Sequence, residues 1–190
     1  VPNALISTCI GTIPATIIPI TIAAFAAYAF AWMKFPGRDW IFIAVVTLMI
    51  VPTQLAFLPI LQGFNGIATW MMALQELLTD CEITDSCSVP SKSFASLWIT
   101  HTAFGQPLAI YLLRNYIVGL PKELLESARI DGASHMQIFL KIIIPLSVPA
   151  LASFAIFQFL WIWNDLLVAL YIGPSNSDER VFPILLEQQL

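Results

Sequence analysis

Two groups of residues have the types and spacing to do chemistry. The first is the run Glu126-Ser127-Ala128-Arg129-Ile130-Asp131-Gly132-Ala133, with Glu123 just upstream. It sets acids and small side chains around a glycine. The second is Phe154, Gln158, Trp161, Asp165 and Val168, with Asn164 beside them. At steps of three and four, these fall on one face of a helix. Aromatic faces take up the C–H groups of a sugar, and amides or carboxylates take up its hydroxyls, so this face offers both. Asp165 is ionisable within an apolar run, which makes it a functional candidate. The alternatives are hydration near the outer end of that run, or a bond to a neighbouring helix. Gln54, Gln106 and His101 are single polar groups in apolar runs. They read either as part of the same path or as glue between helices.

The elements that must carry these residues follow from composition. Of 190 residues, 58% are hydrophobic and 11% charged, with a mean hydropathy of +0.83. Soluble domains average about 45–50% apolar and about 25% charged. Too little polar surface remains to cover a soluble core, so the chain must face lipid. Residues 1–33, 40–75, 93–113 and 142–164 carry no Asp, Glu, Lys or Arg. A helix needs roughly 20 apolar residues to cross the hydrocarbon layer. Four spans are expected, near 4–31, 41–61, 97–116 and 146–171, with an external loop at 62–96 and a cytoplasmic segment at 117–145. The apolar runs are continuous rather than alternating, which predicts helices and not barrel strands. The expected fold is all-α: one polytopic membrane helix bundle over 1–190.

Charge placement sets the orientation. If Lys34 and Arg38 face the cytoplasm, alternation puts Arg114, Lys122, Arg129 and Lys141 there too, leaving Lys92 and Arg180 outside. The positive-inside rule selects this arrangement. Both ends of the chain then lie outside, which predicts at least one further span before residue 1 and one after residue 190. In the external loop, Trp70–Leu78 reads as a short interfacial helix. Glu76, Asp80, Glu82 and Asp85 form an acid cluster, either a solvated loop or a docking surface. Cys81 and Cys87 lie in the same loop, where an oxidising exterior favours a disulfide closing a small ring; two free thiols are the alternative. Neither histidine falls in that loop, so no metal set is expected. Cys9, within a span, reads as a small apolar residue.

The segment 117–145 carries its own helix punctuation. Pro121 suits the first position of a helix, and Glu123 and Glu126 favour its positive end. Gly132 suits the residue just past a helix end, and Ser134 can cap a second helix running to Ile144 and meeting Pro145. The result is a short amphipathic helix, a glycine turn and a second helix leading into the last span.

The string Glu126–Ala133, with Phe139 and then Ile144-Pro145-Leu-Ser-Val-Pro149 downstream, closely resembles the EAA loop of ATP-binding-cassette (ABC) importer permeases. One position departs: Ser127 stands where alanine is usual, and serine is small enough to preserve packing into a groove. The resemblance extends along the chain. Ala26–Ala31 with Phe35-Pro-Gly-Arg38, Tyr111–Tyr116, and Phe157–Asp165 are similar to segments of maltose-type carbohydrate permeases, with the second permease subunit and the α-glucoside branch nearest. The resemblance implies that the first loop helix is a coupling helix seated in a cleft of an ATPase subunit. Glu126 would pair with a basic residue there, Ala128 would sit in the cleft, and Gly132 would permit the turn. It implies an ATPase dimer, a second, related permease chain and an external substrate-binding protein as partners, a sugar as substrate, and the cytoplasmic (inner) membrane as location. ATP and magnesium would belong to the ATPase.

Other classes fit less well. No glycine-rich loop ending in Gly-Lys-Ser/Thr is present, so hydrolysis belongs to another chain. Apart from Arg114 at the cytoplasmic end of the third span, the spans hold no Lys or Arg, which a glycerol phosphate permease would favour; a polyamine permease remains an alternative. An ion-coupled secondary transporter would carry an inverted repeat with midplane ionic sites. A membrane enzyme would need paired carboxylates or a His/Asp cluster, whereas His101 and Asp165 read as isolated. Nothing points to a nucleic-acid partner.

Overall fold

The computed structural model describes residues 2–51, 55–56, 59–60, 62–67 and 93–173. Helix α1 is Pro2–Trp32, 31 residues and about 46 Å long at 1.5 Å per residue. α2 is Arg38–Thr47, followed by a 3-10 turn at Leu48–Ile50. α3 is Phe94–Val118, α4 is Lys122–Ile130 and α5 is His135–Ile138. A π turn at Phe139–Ile143 leads from α5 into α6, Ile144–Trp163, and α7 is Leu166–Ile172. Among the described residues, two helical segments, Leu5–Trp32 and His135–Trp163, are long and apolar enough to cross a membrane. Many of their large apolar side chains point outward, among them Ile6, Ile17, Ile156 and Phe157. That is the inverse of a water-soluble surface and suits a lipid solvent.

Two expected helices have different bounds. The run 41–61 is not one helix: α2 ends at Thr47, whose hydroxyl bonds back to Ile43 O at 2.8 Å. Pro52 explains the stop. It has no N–H for the Leu48 carbonyl, and it disfavours helical backbone at the residue before it. The run 146–171 divides at Asn164 and Asp165, where Asp165 takes extended backbone and caps α7. Gln54, Cys81, Cys87, the acid cluster at Glu76, Asp80, Glu82 and Asp85, and the interfacial stretch Trp70–Leu78 lie outside the described residues.

The chain divides into two compact units. The first comprises 1–15, 51–101 and 161–190. In it, Pro14 cannot give an N–H to the Ile10 carbonyl. Trp98 Nε1 donates to that oxygen instead, at 3.1 Å. Prolines in membrane helices are tolerated where a neighbour meets the freed group in this way. Trp98→Phe removes this donor and is expected to cost about 0.5–1.5 kcal/mol, the net worth of an ordinary hydrogen bond. A lowered melting temperature in detergent would register it, while Trp98→Tyr does not restore the N–H.

The second unit comprises 16–50 and 102–160. Its core is built on small residues. Ala23, Ala24 and Ala27 of α1 are buried with Ala109, Ile110, Leu113 and Ile117 of α3, and with Leu125, Ile138, Phe139, Ile143 and Phe154. Alanines on one face let helix backbones approach closely. Gly37 turns the chain between α1 and α2 with φ of 78°, a conformation cheap for glycine. Arg114 lays its guanidinium over the Phe42 ring, 4.4 Å from the centroid. Aromatic faces accept cations in this way, so Arg114 is held within the unit without an acid.

Candidate functional site

The segment from α4 to α6 is fixed by local chemistry. At the end of α4, the Ala133 N–H donates to Ala128 O at 2.9 Å and the Gly132 N–H to Arg129 O at 3.0 Å. Gly132 has φ of 79°. This bond pair with a left-handed glycine is a Schellman turn, and Ala128 and Ala133, which close it, pack on the core cluster. Ser134 then caps α5. Its Oγ accepts from Gln137 N at 3.3 Å, and Gln137 Oε1 accepts from Ser134 N at 2.8 Å. Such reciprocal bonds form a capping box. The π turn that follows widens the helix just before Pro145, whose ring would otherwise press on the Lys141 carbonyl.

α4 is amphipathic. Leu125 faces the core and is 2% exposed, and Ala128 is half-buried. Lys122, Glu123, Glu126, Ser127, Arg129, Ile130 and Asp131 face outward. The Ser127 hydroxyl donates to Leu124 O at 3.1 Å, so it is satisfied locally. Among the described residues, Glu123, Glu126 and Asp131 form no ion pair; Arg38 and Asp39 do. Ile130 is 86% exposed. Sequence reasoning overlooked it, although the signal was available. Five residues beyond Leu125, at 100° per residue, it stands about 140° round the helix from the buried face. An isoleucine there serves no core of its own chain. The segment can therefore present carboxylates around one apolar knob to a complementary groove.

The second candidate group divides. Phe154 and Gln158 share a buried face of α6, with Gln158 0% exposed. Gln158 packs on Gly105, where an added Cβ would stand 2.7 Å from its Nε2. Neither Oε1 nor Nε2 of Gln158 has a hydrogen-bond partner. Gln106 Nε2 donates to Pro19 O at 3.2 Å, while its Oε1 is buried without a donor. In the other unit, Trp161 is half-buried and Asn164 exposed. Asp165 does not continue the α6 face. Its Oδ1 accepts from Val168 N at 3.1 Å as the N-cap of α7, the role for which a short acid is well suited. His101 and Asp165, isolated in the sequence reading, line one small cavity with Thr8, Thr12 and Trp163. Sixty-odd residues part them in the chain, so no local pattern could have joined them.

The description of the binding-protein-dependent transport system inner membrane component family matches residues 19–189. The chain belongs to this family. Its relatives include the alpha-glucoside transport system permease protein AglG of Rhizobium meliloti (strain 1021), 53% identical over 89% of this chain and 40% of that protein. The osmoprotective compounds uptake permease protein GgtD of Synechocystis sp. is 53% identical over 85% of this chain and 47% of that protein. The chain thus spans about half the length of the curated relatives it matches. In fold, it is similar to the crystal structure of a bacterial ABC transporter involved in the import of the acidic polysaccharide alginate. The TM-score is 0.74 at 20% identity, covering 98% of this chain and 57% of that one. The all-α fold expected of the family is the fold observed among the described residues.

Proposed function

We propose that this chain is a permease subunit of an ABC importer. It moves a sugar, an oligosaccharide or glucoside, inward across the cytoplasmic membrane, driven by separate ATPase subunits. The observation that carries this reading is the outward face of α4, where Glu123, Glu126 and Ile130 lack partners of their own chain's core. The helix behind it runs through α5 into α6. In this reading α4 is the coupling helix. Ile130 and Ser127 enter a groove on the ATPase, and Glu123, Glu126 and Asp131 meet its basic residues; Ala128, expected in that cleft, packs half-buried on its own chain's core instead and holds the turn with Gly132 and Ala133. Closure of the ATPase pair then becomes a rigid-body movement of α6. The name of AglG, which speaks of α-glucosides, supports a glucoside as the substrate.

The partners in this reading are an ATPase dimer binding ATP and magnesium, a second, related permease chain, and an external substrate-binding protein. Gln106 and Gln158 in one unit, and Trp161, Asn164 and Asp165 in the other, are candidates for the sugar path, as is Gln54. Glu126→Lys tests the coupling role. Reversing the charge in a closely packed interface costs several kcal/mol, so retention of the ATPase by the purified permease should fall by more than about tenfold, and uptake with it. Unaltered copurification and uptake would sink the assignment of α4.

A further inference from the structure

The π turn between α5 and α6 raises a mechanical question. A load on α5 can bend the helix there, because π turns interrupt the regular ladder and are sites of helix kinking. Something must stiffen that joint if α4 is to move α6. The structure supplies a clasp on α1 at this point, all of it within the second unit. His135, the first residue of α5, shares a hydrogen bond of 3.0 Å between its Nδ1 and the Tyr28 hydroxyl. The hydroxyl donates when Nδ1 is the nitrogen without a proton. Phe139, the first residue of the π turn, stacks on Phe25 with ring centroids 4.5 Å apart, and meets Tyr28 at 5.4 Å. Tyr28 is 5% exposed and Phe139 3%.

A phenylalanine would fill the Tyr28 pocket equally well by shape. A buried hydroxyl is costly unless it is bonded, and here the bond goes to α5. That bond is directional, so it fixes the rotation of α5 about its own axis, which ring packing alone leaves free. We propose that Tyr28, His135, Phe139 and Phe25 form a clasp that makes α1 a second output of the coupling segment. Movement of α4 then passes to α1 as well as to α6. The inference rests on the reading of α4 as the coupling helix. In this role the four are positioning residues: they act through α1 and α5.

The test uses the assembled complex in proteoliposomes with its binding protein and a radiolabelled α-glucoside, whichever of maltose, trehalose and sucrose the wild type carries. Two quantities are read: stimulation of ATP hydrolysis by the loaded binding protein, and sugar moved per ATP. Tyr28→Phe keeps the ring and removes the bond. It should lower sugar moved per ATP by about threefold to tenfold, in line with the loss of one part-buried hydrogen bond, with basal hydrolysis and ATPase retention unchanged. His135→Leu should do the same, and the double variant should be no worse than either single one, because both remove one interaction. Additive losses, or wild-type stoichiometry in Tyr28→Phe, overturn the clasp. Glu126→Lys, run beside them, separates the two readings. Normal uptake in Glu126→Lys condemns the coupling role of α4, whereas normal Tyr28→Phe beside a dead Glu126→Lys condemns the clasp alone.

Discussion

Gly132→Pro should abolish coupled uptake, with a loss of at least about tenfold, while helix content and membrane insertion are preserved. Three costs converge on this residue. Its φ is 79°, and proline holds φ near −65°. Its N–H donates to Arg129 O at 3.0 Å, and proline has none to give. Asp131, just before it, sits at φ of −72° and ψ of 1°, close to the helical region that a following proline disfavours. The Schellman turn cannot form, so α4 loses its fixed direction relative to α5. Gly132→Ala separates strain from geometry. Nothing lies within 4 Å of an added Cβ, so alanine meets only the left-handed penalty of about 1–2 kcal/mol, and uptake should fall severalfold at most. The measurement is uptake with ATPase copurification for both variants. Wild-type uptake in Gly132→Pro would mean that the turn transmits nothing.

The same turn indicates what could be read from sequence. Gly132, Ser134 and the helix on either side were legible because capping is decided within a few residues. Gln137 completing the box on Ser134 is of that kind. The apolar runs were legible as helices for a different reason: membrane helices satisfy their own backbone, so length and hydropathy suffice. Breaks within those runs were harder. Asn164-Asp165 stands in an apolar run with no proline or glycine nearby, and a short acid inside a helix and a short acid capping one look alike in sequence. Pro52 carries a stop signal, but membrane helices often tolerate proline, so it does not by itself distinguish a break from a continuous span. Contacts across the chain were not legible at all. Tyr28 with His135, Trp98 with Ile10, and Gly105 with Gln158 depend on which helices pack, and no single-chain pattern specifies that.

The pairing of Gly105 and Gln158 leads to the second large effect. Gln158→Met should raise the thermal stability of the purified permease and lower its transport. Gln158 is fully enclosed, and both polar atoms of its amide lack partners. A buried amide without hydrogen bonds costs about 1–3 kcal/mol in proteins. Methionine has nearly the same length and flexibility and can lie over Gly105 without that cost, so a gain of about 1–2 kcal/mol is expected after packing losses. Stability gained at such a position can come at the expense of a function that needs movement there. In an importer that opens and closes, the amide would find partners when the helices separate and α6 turns this face toward the path. The stabilised variant should therefore carry sugar about tenfold more slowly, held in the closed arrangement by the energy it gained. Melting in detergent and uptake in proteoliposomes give the two halves of the result. Higher stability with undiminished uptake would mark Gln158 as an imperfect piece of helix packing and remove it from the path, while lower stability would mean that the amide has a partner that methionine cannot replace.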